Sequence, residues 1–217
     1  MGECTVDNCK NYSYALGYCK RHWRQFHIYG KILPAAKRDP NEIKSDGDIA
    51  YIFLYNYKGI KIAEAIIDNS DVDLIKNIKW SCDSKNYVRN DRLGSLHRYL
   101  LKPARGEKVD HINCCPLDNR RSNLRICTTK ENSWNQRGRS ISGYKGVYKN
   151  GDVFQVSICK DGKVYNLGRF KCKKAAAYAY NQAAIKYFGE FALLNVIEYN
   201  QEASYVKFER VTNNDLL

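Results

Sequence analysis

Apolar positions alternate with polar ones in three successive runs between residues 49 and 93, IAYIFLY, GIKIAEAIID and WSCDSKNYVRN, as in half-buried strands. Between the second and third runs, Ser70 and Asp73 are spaced to cap a short helix over 72–78. The segment SLHRYLL then predicts a helix that packs through Leu96, Leu100 and Leu101. His97 and Arg98 lie on it, and packing is the simplest role for His97.

The pattern changes over 108–137, KVDHINCCPLDNRRSNLRICTTKENSWNQR. A short apolar run ends on Asp110-His111, a turn-rich loop follows, and a second run spans 124–127. Thr128 and Glu131 have the spacing of a capping box, so a helix begins at Thr129 with Asn132 in its first turn. A strand pair followed by a helix brings Asp110, His111 and that first turn together, a place to bind one hard metal ion. Neutral imidazole takes a proton from water near pH 7, and carboxylate and amide oxygens suit magnesium.

Farther on, Asn150-Gly151 and Asp161-Gly162 are two-residue hairpin turns that divide 144–170 into strands 144–149, 153–160 and 163–170. In the middle strand Phe154, Val156 and Ile158 fall on one face, and Gln155, Ser157 and Cys159 on the other. An Ala-rich helix over 173–188, ended by Gly189, can cover the apolar face through a stripe of Ala176, Ala179, Ala183 and Tyr187.

The net charge of +13 is uneven. Residues 1–30 carry +2, 31–95 carry +1, 96–137 carry +5, 138–195 carry +7, and 196–217 carry −2. That concentration is the footprint of a polyanion partner. A membrane surface competes poorly as partner, for there is no basic amphipathic helix, lipidation signal, signal-peptide apolar region or apolar run near the ~20 residues of a span. Nine cysteines without a secretion signal favour metal binding or burial over disulfides. Cys4, Cys9, Cys19 and His22 have the spacing of a small tetrahedral zinc site, in a segment too short for its own core. Its last pair opens a basic aromatic helix, CKRHWRQFHIYG, that offers Lys20, Arg21 and Arg24 to phosphates. Cys82, Cys114, Cys115 and Cys127 lack a C-x2-C knuckle and are not read as a second site.

Through D-H-I-N, L-D-N-R-R-S-N-L-R and E-N, in that order, the chain resembles HNH nucleases of the phage and intron homing-endonuclease kind. The resemblance implies a ββα-metal core with His111 as general base, Asp110 and Asn132 as ligands of magnesium or manganese, and Asn123 as the Asn that braces the loop. Arg120 and Arg121 of the same motif are candidate DNA contacts. The chain departs from the pattern at Cys114-Cys115-Pro116, where the loop usually contains a Gly. The N-terminal segment is similar to zinc modules found ahead of other phage HNH nucleases. Through S-G-Y-K-G-V-Y, L-G-R-F, A-A-x-A-Y and F-G-E-F-A-x-L-N, residues 143–195 resemble an APETALA2-type DNA-binding domain. Such domains lay their sheet in the major groove. The matching contact positions are Lys145, Tyr148, Ser157, Cys159, Val164 and Asn166, with Lys149, Gln155 and Arg169 nearby. The plant domains use mostly Arg and Trp where this chain has Ser157, Cys159, Val164 and Asn166.

The expected architecture is α+β: a zinc-binding module (1–30), a linker and β-rich scaffold (31–95), an HNH ββα-metal core (96–137), an APETALA2-like domain of three antiparallel strands and a helix (143–195), and a tail (196–217). Pro34 and Pro40 bracket the linker, and GRSIS at 138–142 joins the last two domains, where cutting and recognition are expected to be separable. The expected function is site-specific hydrolysis of double-stranded DNA by a soluble intracellular monomer or homodimer, in the host cytoplasm if phage-encoded, giving 5′-phosphate and 3′-hydroxyl ends. A DNA-binding regulator with a decayed nuclease core and an RNA-binding zinc protein are the competing readings. Intact Asp110, His111 and Asn132 weigh against the first, and the sheet reader against the second.

Overall fold

The computed structural model describes residues 2–6, 9, 11–32, 40–56, 58–138, 140–198 and 210–211. Most of the expected linker, most of the tail and Arg139 of the GRSIS link lie outside them. Packing divides the chain into two compact units, residues 1–100 with 116–121, and residues 101–115 with 122–217. Both mix helix with small antiparallel sheets.

In the first unit, α1 (Lys20–Tyr29) ends where Gly30 turns left-handed, at φ 67°, and returns its N–H to Phe26. Strands β1 (Ile43–Asp46), β2 (Ile49–Tyr55) and β3 (Lys61–Asp68) form an antiparallel sheet in that order. The period-2 pattern of β2 buries Ala50, Ile52 and Leu54 completely, and Ala65 and Ile67 of β3 join them. Helix α2 (Val72–Ile75) is shorter than the expected 72–78. Neither Ser70 nor Asp73 caps it, because a 3-10 turn over Asn69–Asp71 leads in and Asp73 pairs instead with Lys76 at 2.6 Å. Short strands β4 (Ser81–Cys82), β5 (Val88–Asn90) and β6 (Gly94–Ser95) form a second sheet. Helix α3 (Leu96–Leu101) follows and buries Leu96, His97 and Leu100, the packing role expected for His97. Residues 116–121 dock on β3 through Ile66 N–H to the Leu117 carbonyl (2.8 Å) and Asn119 N–H to the Ile66 carbonyl (2.7 Å).

The second unit begins with β7 (Lys108–His111) and β8 (Leu124–Cys127), an antiparallel pair that continues into α4 (Thr129–Trp134). The Thr128–Glu131 capping box is present in both directions. Next comes a meander of β9 (Val147–Asn150), β10 (Val153–Lys160) and β11 (Lys163–Phe170), covered by α5 (Lys173–Phe188). The two-residue strand β12 (Arg210–Val211) pairs with the free edge of β11. Strand β9 starts three residues later than expected because Gly146 turns left-handed, at φ 73°. A Cβ there would lie 2.1 Å from the Tyr180 ring and 2.7 Å from the Ser157 carbonyl, so only glycine lets the helix come this close to the sheet.

The face of α5 differs from the expected stripe by about one position. Ala176, Tyr180, Ala184 and Phe188, with Ala175 and Ala177, are buried, while Ala179, Ala183 and Tyr187 pack at the margin. The Tyr180 ring packs directly against Gly146, and its own i±4 row, Ala176 and Ala184, turns inward with it. The core of the meander does not stop at its own helix. Trp134 of α4 stacks on Phe188 of α5, with ring centroids 4.6 Å apart, so the helix after the Asp-His strand pair and the C-terminal helix share packing. The segments on either side of the GRSIS link are therefore joined by side-chain packing as well as by the chain.

Candidate functional site

The ladder of β7 and β8 sets Asp110 opposite Arg125 and His111 opposite Leu124. Val109, Asp110 and His111 are all buried. The Asp110 carboxylate is gripped on one oxygen: Arg125 Nη2 and Nε donate to Oδ2 at 2.8 and 3.1 Å, and Asn135 Nδ2 donates to the same atom at 2.9 Å. Asn135 also donates to the carbonyls of His111 (2.9 Å) and Ile112 (3.3 Å), which pins the strand end to the end of α4. All hydrogen bonds that the Asp110 carboxylate accepts from described residues go to Oδ2. Asn132, half-buried in the first turn of α4, lies three residues before Asn135, the residue that ends the helix.

Asn123 braces the loop through a reciprocal amide pair with Asn113. Its Oδ1 accepts from the Asn113 N–H and its Nδ2 donates to Asn113 Oδ1, both at 3.0 Å. Asn113 Oδ1 also accepts from the Cys115 N–H at 2.8 Å. Cys114 takes the left-handed conformation, at φ 56°, that a glycine would adopt without strain. Its thiol donates to the Asn135 carbonyl at 2.9 Å, and burial pushes its pKa up, with the Asp110 charge adding to the shift.

The candidate DNA contacts divide by placement. Tyr148, Gln155 and Arg169 stand in one cross-strand row, Ser157 and Asn166 in the next, and Cys159 and Val164 in a third. These seven share the sheet face opposite the buried Val156 and Ile158. Lys149 pairs with Phe154 and belongs to the other face. Lys145 is half-buried: its ammonium donates to the Trp134 carbonyl, its N–H donates to Asn195 Oδ1 at 2.6 Å, and burial lowers its pKa to about 8. With Trp134, Tyr148, Ser157 and Cys159 it lines a cleft of about 620 Å³ between α4 and the sheet. In the first unit, Arg120 forms a two-point pair with the buried Asp118, and Arg121 donates to the buried Asp71. Both guanidiniums are thus engaged by carboxylates of the chain itself.

The N-terminal segment brings Cys4, Cys9, Cys19 and His22 together, with their ligand atoms all within 4.8 Å of one another. Cys4 Sγ lies 3.2 Å from His22 Nδ1, and Cys9 Sγ lies 3.8 Å from Cys19 Sγ. A tetrahedral zinc with Zn–S near 2.3 Å has S···S edges of about 3.8 Å, so this cluster fits such an ion. The Cys19 N–H (3.2 Å, to Cys4) and Asn11 Nδ2 (3.4 Å, to Cys9) donate to sulfur, as second partners of thiolate ligands do. It is the one cluster of this kind among the described residues.

Asn113 and Arg125 lie within the motifs D-H-I-N and L-D-N-R-R-S-N-L-R, where the resemblance gives them no role, and Asn135 lies outside them. Arg125 was accessible from the hairpin register, which sets it across from Asp110, and Asn135 from its i+3 spacing to Asn132.

A strand pair whose first strand ends in Asp-His runs directly into a capped helix, a ββα arrangement. A family described as HNH endonuclease matches residues 103–134. An uncharacterized HNH endonuclease of Acanthamoeba polyphaga mimivirus is 32% identical over 135 residues, covering 58% of this chain and 71% of its own length. Protein 3.8 of Escherichia phage T7 is 30% identical over 92 residues, covering 41% of this chain and 75% of its own. No solved structure matches. The chain belongs to the HNH endonuclease family. Among the described residues no helix is long and apolar enough to cross a membrane.

Proposed function

We propose that this chain is a site-specific endonuclease of the homing type, which hydrolyses a phosphodiester of duplex DNA with one magnesium or manganese ion and leaves 5′-phosphate and 3′-hydroxyl ends. The observation that carries this reading is the Asp110 carboxylate, fixed through Oδ2 beside the buried His111 and next to the helix bearing Asn132. Asp110 Oδ1 and the Asn132 amide oxygen are hard donors of the kind magnesium and manganese take. When bound, the metal stabilises charge on the phosphate and on the leaving 3′ oxygen. His111 acts as the general base that accepts a proton from the attacking water, and Asn135 keeps its backbone at the required place. Asn123 holds the loop through Asn113.

The N-terminal cluster holds zinc, and α1 presents Lys20, Arg21 and Arg24 to phosphates. The meander, APETALA2-like in its motifs, lays the face carrying Tyr148, Gln155, Ser157, Asn166 and Arg169 in the major groove. One centre cuts one strand, so a monomer nicks and a homodimer breaks both. The test is conversion of supercoiled plasmid carrying the target to nicked or linear form with and without magnesium. Ligation of the product by DNA ligase reports the end chemistry, and failure to cut any target-bearing DNA with either metal rules the proposal out.

A further inference from the structure

We infer that Arg125 is a positioning residue that ties the orientation of the Asp110 carboxylate to the turn after the C-terminal helix, so that metal affinity depends on Phe191. The inference rests on the reading of Asp110 as a metal ligand.

Asp110 and Arg125 are direct partners in the ladder, and their side chains are 9% and 12% exposed. Two nitrogens of Arg125 bind Oδ2, while the third, Nη1, donates to the Glu190 carbonyl at 2.5 Å. The guanidinium carbon sits 4.3 Å from the centroid of the Phe191 ring. Glu190 and Phe191 belong to the 3-10 turn Gly189–Phe191, immediately after α5. A guanidinium is a rigid planar fork, so engaging all three nitrogens and one face fixes the plane of the group. Fixing that plane fixes Asp110 Oδ2, and Oδ1, the oxygen left for a ligand, then points in one direction.

Electrostatics separates positioning from mere charge. A cation beside a carboxylate repels a second cation, so removing Arg125 alters both orientation and charge and gives a mixed result. Phe191 carries no charge, and its ring lies against the Arg125 guanidinium. Replacing its ring leaves the ion pair's charges in place and loosens only the fork. Any change in metal affinity then reports orientation.

The experiment titrates manganese into the intact, zinc-loaded chain without DNA and counts free ion by electron paramagnetic resonance. Thermal unfolding is recorded for each variant. The variants are Phe191→Leu, Phe191→Tyr, Arg125→Lys and, as background, Asp110→Ala. Phe191→Leu is expected to weaken the Asp110-dependent manganese binding about tenfold, the lower range for outer-shell partners of a metal site. Phe191→Tyr, which keeps the ring face, is expected to retain it. Arg125→Lys keeps the charge and loses the fork, and it is expected to weaken binding even if Phe191→Leu fails to fold. Wild-type affinity in both Phe191→Leu and Arg125→Lys overturns the inference alone, as does equal weakening in Phe191→Leu and Phe191→Tyr. Manganese binding that survives Asp110→Ala unchanged removes Asp110 as a ligand, and with it both this inference and the metal site it rests on.

Discussion

Trp134 and Phe188, the last residues of α4 and α5, stack with 16° between their ring planes. Stacked aromatic pairs contribute about 0.5 to 1.5 kcal/mol beyond the area they bury. Trp134 is half-buried, so Trp134→Ala should cost about 2 kcal/mol, below the range for a full core position, and Trp134→Phe should recover most of it. Urea unfolding checks both. Truncation after Arg137 takes away Phe188 and the Arg125 partners Glu190 and Phe191 together. The shortened chain should therefore unfold earlier and lose cleavage, rather than keep the weak, unselective cutting that a freely separable core would show.

His111→Ala should lower cleavage about 10²- to 10⁴-fold, the usual loss on removing a general base, with DNA affinity little changed. Both Asp110→Asn and Asp110→Ala remove the counter-charge of the largely enclosed Arg125, a loss of about 3 to 5 kcal/mol for a buried pair, but Asp110→Asn is the better probe of the carboxylate because it keeps an oxygen to accept from Arg125. Single-turnover cleavage and binding are measured on the same preparations. Undiminished cutting by His111→Ala would remove it from the reaction.

One zinc per chain should survive purification, and Cys4→Ser should hold about one fewer by elemental analysis. Because Trp23 stacks on His27 at 5.0 Å and meets Tyr14 edge-on at 5.6 Å in the same segment, chelation should change the tryptophan fluorescence as the module loses the ion that folds it. Zinc-free wild type with an intact fluorescence signature would leave the cluster without a metal role.

Lys145 should give the stability curve a distinct alkaline limb. Its folded pKa of about 8 lies below the ~10.4 of an unfolded lysine, so between those values the unfolded chain binds more protons and stability rises with pH. Below pH 8 both states are charged and the burial penalty is present in full. Denaturant unfolding of wild type and Lys145→Met at pH 7.5, 8.5 and 9.5 should show wild type gaining on the variant as pH rises. A constant difference would mean that the ammonium keeps its proton against the Trp134 carbonyl throughout.

Local pattern was sufficient where the physics is local. The Thr128–Glu131 cap, the Asp161-Gly162 turn, the end of α5 at Gly189 and the alternation of β2 depend on residues a few positions apart, and each is found where the sequence predicts it. The first hairpin instead turns one residue later than Asn150-Gly151, over Gly151-Asp152, because Asn150 pairs with Val153. The Cys/His cluster was legible for the same reason, since ligand spacing is a property of the sequence. Tertiary structure decided the rest. The alanine-rich helix turns inward the face on which Tyr180 packs against Gly146, a choice that small side chains leave nearly degenerate. Lys145 follows the motif of a surface contact, yet its ammonium ends on the Trp134 carbonyl because Asn195 holds its backbone from 50 residues away. Arg125 meets Glu190 and Phe191 across 65 residues, a distance over which no periodicity carries information. Pattern along a chain encodes which faces are apolar; only packing determines which of them meet, and at this site that meeting sets the orientation of Asp110.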